Sequence, residues 1–559
     1  PLLAQGKLVH SSGGRTLEKM RAKIEDNVVH SPYPAVELPC CSFYDAARKA
    51  LLNDPDKLAL ADGTVDVTCG ELFKLMQRYA AGFQEHGLEP GHRVCVHVGT
   101  SVDNFAAMWG CVFAGASIVL AKTSLTEREL RYQLSDSDCT HVLTEPAFAE
   151  KTAKAAASLP IKGFFAMGSA EGFLSTAGFR DLDEAAFREV PIKDPKQHVL
   201  VIFYTSGTTG LPKGVIGTHY DLVGNMATER SCFSWDESDI VLIGCPIAHA
   251  SGFIVTALNV LLGITAVMTS PATSLQQISE LVTKYKVTAL SLLQMHLKIL
   301  VAEMHKTGNR LPGVRRVAIA GNVLTEASRR TVLAAFSDLE CLTNAYAMTE
   351  SIGIICAPPI DDAPGTDVGF PAPWSKIKIV DTVTRRKLGA NQTGEICFIT
   401  PTMTKQYYKR PKETAELFDE DGWCKSGDAG YYDEDGRLYV VQRLKELIKC
   451  MDNQVVPAEL ENLILQEHGD QIAEVVVVGL PHPLFGEAPA AAIVLKDHSG
   501  SKCDPGLLAE RVKTTIAENL AVHKNLYGGV FFFDFLPKTE TGKVSRTALA
   551  QACVAKNAS

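Results

Sequence analysis

Short apolar runs of β type recur along most of this chain: Arg93–Val98, Ser117–Leu120, Val199–Tyr204, Ile240–Ile243, Thr288–Leu292, Arg316–Ala320, Ile377–Val380 and Gly394–Ile399. Helix-like stretches lie between several of them. Ser274–Tyr285 sets Leu275, Ile278, Val282 and Tyr285 at helical spacing, and Thr325–Phe336 is a second such stretch. Apolar strands separated by amphipathic helices leave few topologies, because each strand must return in the same direction through a helical crossover. The pattern therefore predicts an α/β fold with parallel sheets covered by helices. A chain of 559 residues also exceeds what one hydrophobic core supports. Near Tyr439–Leu447 the texture changes to a strand followed by a charged segment. We expect a partly flexible extension over residues 1–35, a large domain over 36–442, and a smaller α+β domain over 443–559.

Directly behind the apolar run Val199–Tyr204 stands Y-T-S-G-T-T-G-L-P-K-G, Tyr204 to Gly214. Its Thr205, Ser206, Gly207, Thr208, Thr209 and Gly210 can bend backbone N–H groups and hydroxyls around a phosphate chain, while Lys213 adds positive charge. The spacing fits neither a Walker A loop nor a dinucleotide fingerprint. A plain Gly/Ser/Thr linker is the alternative, but linkers rarely follow a buried strand with so many donors.

Composition narrows the partners. A net charge of -9 with 21% charged residues argues against nucleic acid, which would need a basic face. The 15 cysteines are scattered without C-x-x-C pairs, as free thiols in a reducing compartment would be. Ser251–Met268 is apolar but broken by Asn259 and Gly263, and reads as a buried helix running into a buried strand rather than a membrane span. The first nineteen residues lack an apolar signal core, and Met20 is an alternative start. The last residues, Lys556-Asn557-Ala558-Ser559, are not a Ser-Lys-Leu-type address. The expectation is a cytoplasmic protein without stable membrane insertion.

Four more segments are chemically suggestive. Asn344-Ala345-Tyr346-Ala347-Met348-Thr349-Glu350 places an aromatic ring among small residues, able to stack on a purine, and an acid able to hold magnesium. Alone, such a segment is more often a loop with a core tyrosine. Ala320-Gly321-Asn322 lies upstream in V-A-I-A-G-N-V-L. Ser426-Gly427-Asp428 puts a carboxylate at a tight turn, where it can accept two ribose hydroxyls or simply face solvent. Pro537–Lys543, P-K-T-E-T-G-K, ends in a lysine behind a glycine.

In this order, the segments resemble those of the adenylate-forming enzymes: acyl- and aryl-CoA synthetases, firefly luciferase and peptide-synthetase adenylation domains. The resemblance runs from about residue 40 to residue 550. Its texture is that of the 4-coumarate–CoA ligase and luciferase branch, seen also in GLPHPLFGEAPAAAIV from Gly479 and YGGVFFFDFLPKTETGK from Tyr527. It implies two parallel-sheet α/β subdomains plus a small β-barrel-like part, closed by a mobile α+β C-terminal lid. It also implies residue roles. The loop with Lys213 would take the β- and γ-phosphates, Tyr346 the adenine, Thr349 a phosphate, Glu350 Mg2+, and Asp428 with Arg443 the ribose. Gly321 and Asn322 match the family's Gly-Gly-Ala-Pro-Leu loop only in part, with Ala320 for the first Gly and Val323 for the Pro. Asn344, Ala345, Ala347 and Met348 complete the adenylate segment.

The acyl pocket implied is His249, matching the family's gate histidine, with Ala250, Ser251, Ala320, Gly321, Ala347 and Met348. Ser251 stands where luciferases carry an aromatic ring. Lys543 would serve the adenylation step; Lys449, Asp452 and Gln454 would serve the thioester step. Asp452 replaces a usual Gly, and Gln442 a usual hinge Asp. The implied activity is an acid–thiol ligase, with His249, Thr349, Lys449 and Lys543 catalytic. It uses ATP, Mg2+ and coenzyme A on an aromatic or medium-chain fatty acid, as a monomer or homodimer. A luciferase-like adenylating oxygenase, an adenylation unit feeding a carrier protein, and a non-catalytic nucleotide-binding descendant are the alternatives.

Overall fold

Every apolar run singled out above is a strand, and six of the eight lie in two mainly parallel sheets. A computed structural model describes residues 20–205, 211–232, 235–270, 272–321, 323–360, 362–451, 453–496, 504–538 and 544–558. In the first sheet the spatial order is Lys213–Thr218, Val199–Thr205, Ser117–Leu120, Arg93–His97, His141–Thr144, Gly163–Ala166 and Leu174–Ser175, parallel apart from the first pair. The second, nine-stranded sheet is parallel through its middle. There Cys341–Met348, Arg316–Ala320, Ala289–Leu293, Ile240–Ile243, Thr265–Met268 and Leu58–Ala61 lie side by side.

Helices fill the space between these sheets. Val102–Phe113 is buried along its whole length and Ala250–Leu261 along most of it, as befits helices apolar on nearly all sides. One core unites Val94, Val96 and Ile118 of the first sheet with Val241, Ile243 and Ala266 of the second, through Phe105, Trp109 and Phe253. Trp109 stacks on Phe43 at 3.6 Å and on Phe253 at 4.9 Å between ring centroids. Truncating such a buried aromatic typically costs about 3–5 kcal/mol.

Local sequence explains the helix limits. Ser274 caps Leu275–Tyr285 with Gln277 in a reciprocal capping box, and Leu275, Ile278, Val282 and Tyr285 form the buried face as their spacing predicts. The apolar stretch after Ser251 resolves into the helix Ala250–Leu261 and the buried strand Thr265–Met268. Its Asn259 is satisfied inside the protein, accepting from Trp235 Nε1 at 3.1 Å and donating to Val255 O at 2.8 Å. Among the described residues, no helix is long and apolar enough to cross a membrane. The described cysteines are free thiols, buried except at Cys40 and Cys41.

Two further sheets complete the chain. A six-stranded antiparallel sheet runs from Ile24–Glu25 and Val28–His30 through Lys376–Val380, Gly394–Ile399 and Cys424–Tyr432 to Leu438–Arg443. Residues assigned to the N-terminal extension thus supply two of its strands, with Val28–His30 pairing Lys376–Lys378. After Arg443 the chain enters a separate sheet of Ile448–Cys450, Asn453–Val455, Ile472–His482, Gly486–Leu495 and Gly529–Phe532. The helices Pro457–His468, Pro505–Asn519 and Arg546–Ala558 accompany it, an α+β arrangement.

Candidate active site

The phosphate-loop candidate links two antiparallel strands. Tyr204 pairs with Gly214 and Thr205 with Lys213 across antiparallel strands. Ser206, Gly207, Thr208, Thr209 and Gly210 lie outside the described residues, so the structure locates the base of this loop. Long-range contacts hold that base. Tyr204 OH donates to Asp136 Oδ2 at 2.7 Å, and Tyr132 OH donates to the Pro212 carbonyl at 2.8 Å. Arg410 joins the two by pairing with Asp136 and donating to Tyr132 OH at 3.2 Å. Gly214 must be small, because a Cβ there would meet Ile202 Cγ2 at 2.8 Å.

A strap from Thr404 to Tyr408 crosses this hairpin and ties it to Glu350. Thr404 Oγ1 donates to Ile216 O at 2.8 Å, and Tyr408 N–H donates to Gly214 O at 2.7 Å. Thr404 N–H donates to the Glu350 carbonyl at 2.8 Å. Between them sits Tyr407, 7% exposed. Its hydroxyl donates to Glu350 Oε1 at 2.7 Å, and Lys213 Nζ lies 5.2 Å from its ring centroid. Burial first, and then the Glu350 charge, push the Tyr407 phenol well up, so it remains a donor. Glu350 Oε2 meets no donor among the described residues. A carboxylate with one oxygen pinned and the other open suits a hard cation such as Mg2+, which takes one or two protein carboxylates and completes its shell from phosphates and water. Among the described residues, no cluster of three His, Cys, Asp or Glu offers a closed metal cage.

The purine and ribose candidates are also joined. The strand Cys341–Met348 carries Asn344 to Met348 to the carboxyl edge of the parallel sheet, and Thr349–Ser351 turns away from it. Tyr346 OH donates to Asp428 Oδ2 at 2.7 Å, and Asp428 Oδ1 pairs with Arg443 Nε at 2.9 Å. Burial above all raises the Tyr346 phenol well beyond its ordinary range. Asn344 donates weakly to Thr366 O and Asp367 O at 3.4 Å, while its buried Oδ1 has no partner among the described residues. Behind Glu350, Ile352 is held at φ 54° with its side chain fully buried, a strained conformation for a β-branched residue worth about 1–3 kcal/mol.

The acyl-pocket candidates share this sheet edge. Leu293 pairs with Ala320 and Ala320 with Ala345, and Ile240–Ile243 runs parallel beside them, so Gly321, Ala347, Met348 and the segment after Ile243 all sit at strand carboxyl ends. In open α/β sheets that edge is where ligands bind. Gly321 has φ +90°, which a side chain would resist; Asn322 lies outside the described residues. His249 caps the helix Ala250–Leu261, its Nδ1 accepting the Ser251 N–H at 3.3 Å and lying 2.7 Å from Ser251 Oγ. This assigns the ring proton to Nε2. Ser251 also contacts the thiol of Cys245, pushed up to about 11 by burial.

Lys449 and Gln454 lie on the sheet that follows Arg443. Lys449 is exposed on the strand Ile448–Cys450, opposite Gln454, with its N–H donating to Glu487 Oε2 at 2.8 Å. Asp452 and Lys543 lie outside the described residues, as does the side chain of Gln454. Gln442 is buried, and its Oε1 accepts from Ala458 N–H at 3.3 Å. Sequence reading missed Tyr407, Tyr132, Asp136 and Arg410. The i,i+4 spacing of Tyr132 and Asp136 on one helix and the adjacent rings of Tyr407 and Tyr408 are the signals the sequence offers.

The family model described as AMP-binding enzyme matches residues 47–408, and that described as AMP-binding enzyme C-terminal domain matches residues 459–543. The chain is 30% identical to 4-coumarate–CoA ligase 5 of Oryza sativa subsp. japonica, covering 94% of this chain and 97% of the relative. It is 29% identical to luciferin 4-monooxygenase of Photinus pyralis, again over 94% of this chain and 97% of the relative. A crystal structure of an ATP-bound RpMatB–BxBclM chimera superposes with a TM-score of 0.82 at 25% identity, covering 92% of this chain and 99% of the chimera. With both family models matched in order, the first over more than half of its length, the chain belongs to the AMP-binding, adenylate-forming enzyme family.

Proposed function

We propose that this chain is an ATP-dependent acyl- or aryl-CoA ligase, acting on an aromatic or medium-chain fatty acid. The observation that carries the reading is the joining of Lys213 and Glu350 on one tyrosine, which sets a cation for phosphates beside a carboxylate for their metal. The substrate carboxylate attacks the α-phosphorus of ATP. A P–O bond forms, the α–β bridge breaks, and pyrophosphate leaves with acyl-AMP behind it. Catalysis of this step is mainly positioning and charge stabilisation. Lys213 and the Thr205–Gly210 loop hold the outgoing phosphates, Thr349 a further phosphate oxygen, and Lys543 bridges the carboxylate and α-phosphate. Glu350 would hold Mg2+, which when bound would supply screening of the phosphate charges. Tyr346 and the Asp428–Arg443 pair orient the nucleoside.

In the second step the coenzyme A thiolate attacks the acyl carbonyl, a C–S bond forms, and AMP departs. The domain after Gln442/Arg443 rotates between the steps, withdrawing Lys543 and presenting Lys449 and Gln454. His249, Ala250, Ser251, Ala320, Gly321, Ala347 and Met348 wall the acid, and their mostly apolar character favours an apolar substrate. Similarity to a luciferin 4-monooxygenase favours a second reading, an adenylating oxygenase. One experiment separates the two. Pyrophosphate release is measured over a panel of carboxylic acids, with and without coenzyme A, while light emission is recorded. Thioester formation without light supports the ligase, light with oxygen uptake supports the oxygenase, and no pyrophosphate with any acid defeats both.

A further inference from the structure

Tyr407 has the geometry of a coupling residue rather than a filler of the core. A tyrosine needing only a partner for its hydroxyl would be satisfied by any backbone carbonyl. Here the hydroxyl reaches one oxygen of Glu350, and the other face of the same ring lies against the Lys213 ammonium. Ligating carboxylates depend on such partners to fix which oxygen they present. A cation resting on a ring is held in place while keeping its N–H donors outward. The strap bonds from Thr404 and Tyr408 fix the ring's height over the hairpin from both sides.

We propose that Tyr407 is the positioning residue that couples the metal and phosphate halves of the site: its hydroxyl pins Glu350 Oε1 so that Oε2 faces Mg2+, and its ring seats Lys213 beside the same phosphates. The inference rests on the reading of Glu350 and Lys213 given above.

The test uses the full chain and two binding measurements that need no turnover. Mn2+, standing in for Mg2+, is titrated with ATP and read by the paramagnetic resonance of free and bound ion. ATP alone is titrated in EDTA by calorimetry. Tyr407→Phe, which keeps the ring, should weaken Mn2+ binding in the ATP complex by roughly 10–100-fold. It should leave metal-free ATP affinity at the parent value. Tyr407→Leu should additionally weaken metal-free ATP by roughly two- to five-fold, through loss of the ring beneath Lys213. Parent Mn2+ affinity in Tyr407→Phe overturns the proposal, as does an equal loss with and without metal, which would mark general distortion. Glu350→Gln serves as the reference. If it binds Mn2+ at parent affinity, the metal role of Glu350 falls and the coupling falls with it. If Glu350→Gln weakens Mn2+ but Tyr407→Phe does not, only Tyr407 loses its role.

Discussion

The phenol of Tyr346 donates to Asp428 Oδ2 at 2.7 Å, which makes the candidate purine platform and the candidate ribose acceptor one hydrogen-bonded unit. Asp428 is buried and its other oxygen is held by Arg443, so the ring's tilt and the carboxylate's rotation are set together. Removing the ring and removing only the hydroxyl should therefore give different results. Tyr346→Ala loses base stacking worth roughly 1–3 kcal/mol, and the KM for ATP should rise accordingly. Tyr346→Phe keeps the stack and loosens Asp428, so its smaller ATP defect should vanish with 2′,3′-dideoxy-ATP as substrate. Unchanged kinetics in Tyr346→Ala would remove the ring from the nucleotide site.

Ser251 offers a test of the acyl pocket. It follows the His249 cap and is only half-buried, so a larger side chain there projects from the first turn of the helix. Ser251→Phe should shorten the longest acid accepted while leaving the KM for ATP close to the parent value, since the Ser251 side chain engages His249 and Cys245. The acid panel already described reads this directly. A chain-length profile identical to the parent's would take Ser251 off the pocket wall.

Two buried groups should give stability opposite dependences on pH. Glu229 is enclosed with Asn225 Nδ2 and Ile354 N–H as donors, and burial pushes it up to about 7. Its folded value lies above its unfolded one, so the folded state holds the extra proton between roughly pH 4.5 and 7. Stability from this group is present at low pH and lost as pH rises through 7, up to roughly 3 kcal/mol. His219 behaves inversely. Its Nδ1 accepts the Phe43 N–H at 3.0 Å, and burial takes it down to about 3. The unfolded chain binds the extra proton below about 6.5, so this contribution disappears as pH falls from there. Urea midpoints measured from pH 5 to 8 should lose their alkaline decline in Glu229→Gln. They should lose part of their acid decline in His219→Asn. Parallel curves for parent and variants would show that neither group titrates in the way burial implies.

How far these features could be read from sequence depends on their range. Ile240–Ile243 and Leu275–Tyr285 were legible because their burial follows a local period that the residues themselves display. The loop before Lys213 was legible because it follows an apolar strand, but the return strand Lys213–Thr218 was not singled out. Tyr407 was not, since its meaning comes from a strap laid across a hairpin almost two hundred residues earlier in the chain. The same holds for Tyr132 and Asp136, which reach the loop base from a different crossover, and for Val28–His30, whose partner strand lies at Lys376–Val380. Periodicity reports which face is buried, but not which distant element buries it.

The two lysines of the C-terminal domain allow the sharpest separation of the two chemical steps. Lys449 stands exposed opposite Gln454 on a hairpin, whereas Lys543 lies outside the described residues. If the domain rotates, each should serve one step and be absent from the other. Lys543→Ala should abolish acyl-AMP formation from acid and ATP, yet convert supplied acyl-AMP and coenzyme A to thioester at the parent rate. Lys449→Ala should accumulate acyl-AMP and fail in the second step. Asp452 introduces a carboxylate beside the proposed pantetheine path, so Asp452→Gly should speed thioester formation from supplied acyl-AMP without changing pyrophosphate release. Rapid quenching with radiolabelled ATP resolves both steps in a single turnover. The deciding measurement is the first half-reaction of Lys543→Ala: acyl-AMP appearing at the parent rate would mean that this lysine is not delivered to the reacting phosphate, and the rotation account would fail for this chain.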